Sequence, residues 1–409
     1  MNRLVLIGNG FDLAHGLRTS YKDFIAWYRY FRIVQMSRQT TYTSEDCLCS
    51  FERKDGITWN VYAMYNFRLS VRSLLSLEEQ VESDKVIIDT IINDTHNVKT
   101  TFSPFFERIH RSIETKNWVD IENEYYSLLK EYSVDKPSES KLKELNEQLN
   151  YLQGLLIDYL TIVNRGGIGV KHAIRSKIYS PIEPKDIAVE WHGKLNEYID
   201  RCFAQEKEAW DEKMMKYNKK LSYADIDDYR DGEDYPLPFM LPDDIMLLSF
   251  NYTITARLYV RPDFRINYIH GELENPESVI FGYGDELDED FKKIKELDDS
   301  ECRKNIKSIK YLEAAKYRKV LQFIESAPFQ VCIMGHSCGN SNRTLLNTLF
   351  EHKNCISIKP YYYQDSEGKD NYFDILQNIS RNFTDMKLMR DRVVNKTYCE
   401  PLPQKEEKS

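Results

Sequence analysis

The residues at the start of the chain constrain the fold most. A strand runs from Arg3 to Ile7, apolar from Leu4 onward, and Gly8-Asn9-Gly10 breaks it at once. A short apolar run without alternation belongs to a strand covered on both faces. One strand cannot bury itself, and its counterparts return only past about residue 243. There, strand-like runs stand at 245–250, 266–269, 279–281, 329–334 and 355–358, with helical stretches at 253–260, 306–326, 342–351 and 371–382. Alternation on this scale implies a parallel sheet with helices on both faces. The expected class is α/β, with a Rossmann-like sheet built from both ends of the chain. Residues 1–39 and 241–400 would form it, a large, mainly helical insertion would occupy 40–240, and 401–409 would be a disordered tail.

The helical reading of the middle rests on periodicity. Ser20 and Asp23 have the spacing of a capping box, ahead of an apolar face made by Phe24, Ile25, Trp27, Tyr28 and Phe31. Leu142, Leu145, Leu149, Leu152, Leu155 and Leu156 recur at three- and four-residue steps, an amphipathic helix packed in its own domain. Residues 118–131 and 186–220 read similarly, and the Asp- and Pro-rich stretch 223–238 reads as an exposed linker.

Charge narrows the function classes. With 56 basic against 65 acidic residues, the net charge is −9, the wrong sign for a nonspecific nucleic-acid binder. No apolar run reaches membrane-spanning length and no signal-peptide pattern opens the chain, so no membrane partner and a cytoplasmic location are expected. The eight cysteines read as free thiols. Cys47 and Cys49 are the one close pair, with no second pair at zinc spacing, so no metal site is expected.

Five short stretches follow expected strands, where open α/β sheets place their ligands. In Gly8-Asn9-Gly10-Phe11-Asp12 the glycines would let backbone amides approach a phosphate. No third glycine follows at the dehydrogenase spacing, which argues against hydride transfer. Asn251-Tyr252 offers an amide for a ribose, and His270-Gly271 a base that titrates near neutrality. Phe281-Gly282-Tyr283-Gly284-Asp285-Glu286 is the fourth stretch, and the acidic run at 285–290 reads as a solvated helix start. The fifth, Gly335-His336-Ser337-Cys338-Gly339, matches a nucleophile elbow. However, His352 is the sole histidine downstream of Ser337, and Glu351 the sole acid between them. That order does not supply a hydrolase triad, and the loop reads instead as a second turn toward a ribose or phosphate, followed by a helix near Asn342.

In order, these stretches resemble the sirtuin-type nucleotide-binding fold, and more closely the AbiH family of bacteriophage abortive-infection proteins. LVLIGNGFDLAHGLRTSYKDF is similar to that family's opening signature, and LLSFNYT, YIHGE, FGYGDE and GHSCGNSNRTLL are similar to its later blocks. Two positions depart. Thr253 stands where the sirtuin Asn loop has Asp, and Asn342 where the AbiH pattern has Asp, although Asn caps a helix as well.

The resemblance implies a sirtuin/DHS-type sheet in an antiviral protein acting inside a bacterium. Its ligand would be NAD, or a related ADP-ribosyl nucleotide, whose nicotinamide–ribose bond would be cleaved. Asn251 would hold the ribose or water, and His270 would accept the attacking proton. Gly8, Gly10, Gly335 and Ser337 would hold the diphosphate and ribose. Asn9, Phe11, Asp12, His15, Tyr252, Gly282, His336 and Asn342 complete the expected ligand contacts. A phage trigger and a homo-oligomer are compatible partners. The alternatives are a nucleotide-sensing module without chemistry and, with less support, an effector acting on nucleic acid.

Overall fold

The computed structural model describes residues 1–38, 43–53, 98–116, 119–219, 237–297 and 299–404. Strand β1 (Asn2–Ile7) lies in a parallel sheet. Strands β2 (Thr43–Glu45), β3 (Cys49–Arg53) and β4 (Val98–Phe102) form a separate antiparallel sheet in the order β2-β3-β4. Strands β5 (Ile245–Ser249), β6 (Arg265–Tyr268), β7 (Phe329–Met334) and β8 (Cys355–Tyr361) complete the parallel sheet, in the order β6-β5-β1-β7-β8. Strand β1 is central and pairs with β5 on one side and β7 on the other. The chain builds outward through β5 and β6, then returns to the far side of β1 for β7. The order therefore reverses between β1 and β7, and the loops after those strands flank the switch point.

The unalternating sequence of β1 is explained by its two packed faces. Leu4 and Leu6 join one apolar cluster with Val320, Phe323, Ile324, Leu345, Leu349 and Ile379, on helices Lys316–Ser326, Arg343–Phe350 and Tyr372–Arg381. Val5 and Ile7 join the other, with Ile174, Ile178, Leu195, Ile199, Trp210 and Met214. Those six come from helices His172–Ile178, His192–Phe203 and Lys207–Lys216.

The second cluster changes the domain boundaries. The chain forms two compact units, Met1–Leu17, Leu160–Lys292 and Asn305–Ser409 as one, and Arg18–Tyr159 with Lys293–Lys304 as the other. Residues 160–219, which periodicity assigns to the insertion, thus supply a layer of the parallel sheet's unit. An amphipathic helix shows that it needs an apolar partner, but not which one.

The second unit opens with helix Tyr21–Arg38, whose capping box forms as expected: Asp23 N–H donates to Ser20 Oγ at 3.1 Å. Phe24, Ile25 and Tyr28 are buried. The leucine stripe lies on helix Glu139–Val163, with Leu142, Leu145, Leu149, Leu152 and Leu156 buried. The β2-β3-β4 sheet was not expected, because its strands are short and polar. Most of the 223–238 linker and of the tail lies outside the described residues.

Two other expectations change. Residues 279–281 form no strand; Ile280 N–H donates to the carbonyl of His270 in the loop before them. The stretch 306–326 is not one helix but Lys307–Lys310, a 3-10 turn Tyr311–Glu313, and Lys316–Ser326.

Candidate functional site

The loops after β1 and β7 meet directly. Gly8 N–H donates to the Met334 carbonyl at 3.3 Å, Gly10 N–H to the Gly335 carbonyl at 2.8 Å, and Phe11 N–H to the Gly8 carbonyl at 2.9 Å. Gly335 has φ +74°, and a Cβ there would lie 2.0 Å from Phe11 N; one on Gly8 would lie 2.5 Å from His336 Cα. Only glycine permits this approach. The glycines therefore lock two loops together, and these three amides serve protein carbonyls rather than forming the expected open anion nest. Asn9, exposed, opens the short helix Asn9–Ala14 that follows Gly8.

The β5 loop joins this knot. Half-buried Asn251 donates from Nδ2 to the Gly8 carbonyl at 2.9 Å. Two residues on, Thr253 Oγ1 donates to Asp12 Oδ2 at 2.6 Å, and Thr255 Oγ1 to Thr253 Oγ1 at 3.4 Å. Asp12 is 1% exposed, and its Oδ1 finds no hydrogen-bond partner among the described residues. Burial pushes its carboxyl up to about 6, against the donors Thr253, Thr255 and Asn251, which pull it down.

Beyond β5 lie the histidines. His270 is buried, with Nε2 3.1 Å from Tyr311 Oη. His336 is buried and accepts the Cys338 N–H at Nδ1, 3.0 Å away. The Phe250 ring stands between them, 5.3 Å from one imidazole and 4.1 Å from the other. Burial, then the charge of Lys307, lower the basicity of both, His270 well below its usual range and His336 to about 3. Lys307 is itself buried and donates to Asn342 Oδ1 at 3.2 Å and to the Ser341 carbonyl at 3.4 Å. Asn342 thus uses its side chain on Lys307 and makes no side-chain cap to the helix it precedes.

Several expected ligand contacts have other work. His15 spends both ring nitrogens, Nδ1 on the Phe11 carbonyl at 2.7 Å and Nε2 on Tyr259 Oη at 2.6 Å. Phe11 is fully buried against Tyr259. Tyr252 Oη donates to the Ile280 carbonyl at 3.0 Å, and Gly282 sits against the backbone of Asn305. Ser337 is exposed at its loop tip. The acidic run at 285–290, read as a solvated helix start, buries its first member: Asp285 is 2% exposed and 3.4 Å from Arg343.

Sequence reasoning missed Lys307 and Tyr311. Both lie in a stretch whose apolar period reads as plain helix, and no local signal marks them.

A cavity of about 440 Å³ lies at the opposite edge of the sheet, lined by Met1, Trp191, Tyr198, Asp243 and Pro328 among others. It adjoins the N-terminal ends of β1, β5 and β7, away from the glycine loops. Asp243 there already pairs with Lys213 at 2.7 Å. Parallel sheets place ligands at the carboxyl ends of their strands, so the glycine-loop edge is the candidate site.

Compared with known families, residues 4–363 match the description "Bacteriophage abortive infection AbiH". The chain belongs to the AbiH family. This AbiH member matches neither a curated protein nor a solved structure. The family suggests a role in bacteriophage abortive infection. Among the described residues of this AbiH chain, no helix is long and apolar enough to cross a membrane.

Proposed function

We propose that this AbiH protein binds NAD, or a related ADP-ribosyl nucleotide, at the carboxyl edge of the parallel sheet and breaks the nicotinamide–ribose bond. One observation carries the reading: loops from β1, β5 and β7 converge at the strand-order reversal, with Gly10 2.8 Å from Gly335 and Asn251 2.9 Å from Gly8. Exposed Asn9 and Ser337 stand at the rim for the diphosphate and ribose, and Lys307 supplies positive charge behind them. Asn251 holds the ribose or the attacking water. The bond opens through an oxocarbenium-like centre, as glycosides do. Loss of NAD would arrest an infected cell, in keeping with abortive infection.

A second reading, nucleotide sensing without chemistry, is favoured by the closed state of the glycine amides and by Thr253 in place of a carboxylate. The test incubates purified protein with NAD, with and without lysate from phage-infected cells, and follows binding calorimetrically and nicotinamide chromatographically. Release of nicotinamide supports cleavage. Binding without product over hours supports sensing, and absence of both removes the nucleotide reading.

A further inference from the structure

We propose that Asp12 is the general base of this site, taking the proton from the water that attacks the ribose carbon. The inference rests on the reading that the nicotinamide–ribose bond is cleaved here. In the step, the C–N bond breaks and its electron pair leaves with neutral nicotinamide. A water lone pair forms the new C–O bond, and the water proton passes to Asp12 Oδ1, then to solvent. Nothing is oxidised or reduced.

The first argument is the incomplete environment of a buried charge. Buried carboxylates are normally paired or fully hydrogen-bonded, because desolvation without compensation costs several kcal/mol. Asp12 is 1% exposed, has no ion pair among the described residues, and leaves Oδ1 without a hydrogen bond there. The second is position. Asp12 lies on the short helix Asn9–Ala14 that follows β1 at the switch point, held by Thr253 from the loop that carries Asn251. The carboxylate that the sequence lacks at position 253 is thus restored in space by Asp12, 2.6 Å away.

The third argument is elimination. His15 has both nitrogens engaged. His336 offers Nδ1 to the Cys338 amide, and burial leaves it too weak a base. His270 has its Nε2 engaged by Tyr311, and burial and Lys307 disfavour its cation. Asp12, by contrast, is tuned by burial to about 6, near the working range of a base at neutral pH. The groups that set this balance are burial and the neutral donors Thr253, Thr255 and Asn251.

The test compares the full-length wild type with Asp12→Asn and Thr253→Val, measuring NAD affinity by calorimetry and nicotinamide release from pH 4.5 to 8. Asp12→Asn is expected to keep NAD affinity within about threefold and to lose roughly 100-fold or more in kcat. The wild-type rate should fall below about pH 6, and this limb should vanish in Asp12→Asn. Thr253→Val, which removes a donor to the carboxylate, should move the limb upward by about one pH unit. A wild-type rate and an intact acid limb in Asp12→Asn would overturn the proposal. Should Asp12→Asn fail to fold, an unmoved limb in Thr253→Val overturns it instead. Wild-type protein that binds NAD and releases nothing sinks the cleavage reading, and the base with it, a result distinguishable from an active Asp12→Asn.

Discussion

Two buried charges at opposite ends of β1 are treated differently by this fold. Arg3, 2% exposed, gives its guanidinium to Gln330 Oε1 at 2.9 Å and to the carbonyls of Ile178 and Ser180 at 2.9 and 2.6 Å. Asp12, just past the other end, has one oxygen held by Thr253 and the other unmet among the described residues. Both are costly to desolvate. A satisfied charge fixes structure, here by tying residues 177–181 to the sheet, whereas a half-satisfied one keeps capacity for a ligand or a proton. The difference marks Arg3 as a scaffold residue and Asp12 as a candidate for the site.

The comparison can be broken in four ways. The largest effect is expected from Gly335→Ala, which forces a Cβ to within 2.0 Å of Phe11 N at φ +74°; a loss of about 5 kcal/mol, read by urea denaturation or by failure to fold, would show that the Asp12 end depends on this loop contact. Arg3→Met strands several buried carbonyls, and a loss of about 4 kcal/mol is expected in the same assay. Asp12→Asn should act in the opposite direction. Its carboxyl titrates near 3.8 when unfolded and near 6 when folded, so the folded chain binds more protons between those values. Stability therefore falls as pH rises through that window, and the penalty is complete above it. Neutralising Asp12 should raise stability by up to about 3 kcal/mol at pH 7.5 (roughly two units at 1.36 kcal/mol each) and by almost nothing at pH 4. A destabilised Asp12→Asn at pH 7.5 would put Asp12 in the same class as Arg3. The smallest effect belongs to exposed Ser337: Ser337→Ala should change stability by less than about 0.5 kcal/mol while weakening nucleotide binding measurably by calorimetry.

Much of the sheet could be read from the chain because its strands are buried on both faces and so appear as unbroken apolar runs. The runs at Leu4–Ile7 and 329–334 are bounded by breakers, and they pair side by side in the sheet. Glycines at 8, 10 and 335 stand at the switch point, where they permit close packing of the two loops and the Gly8 and Gly10 amides donate to protein carbonyls. The buried lysine beside Asn342 was not legible. Lys307 reaches Asn342 because the backbone at 305–307 is tied to Tyr283, through Tyr283 N–H to the Asn305 carbonyl and Lys307 N–H to the Tyr283 carbonyl. That tie is tertiary, and it interrupts a helix that local propensity would have continued. The antiparallel β2-β3-β4 sheet escaped notice for a similar reason: Thr43–Glu45 is three residues long, and β3 and β4 are far apart in the chain.

The central place of β1 has a consequence for biosynthesis. Its neighbour β7 is translated more than three hundred residues later. At about 5–20 residues per second, a ribosome takes tens of seconds to deliver it. During that interval Leu4–Ile7 has no complete sheet to enter, and nascent chains that end early lack the Gly335 side of the switch point altogether. Whatever the switch point does, a product that ends before Gly335 cannot do it in this form.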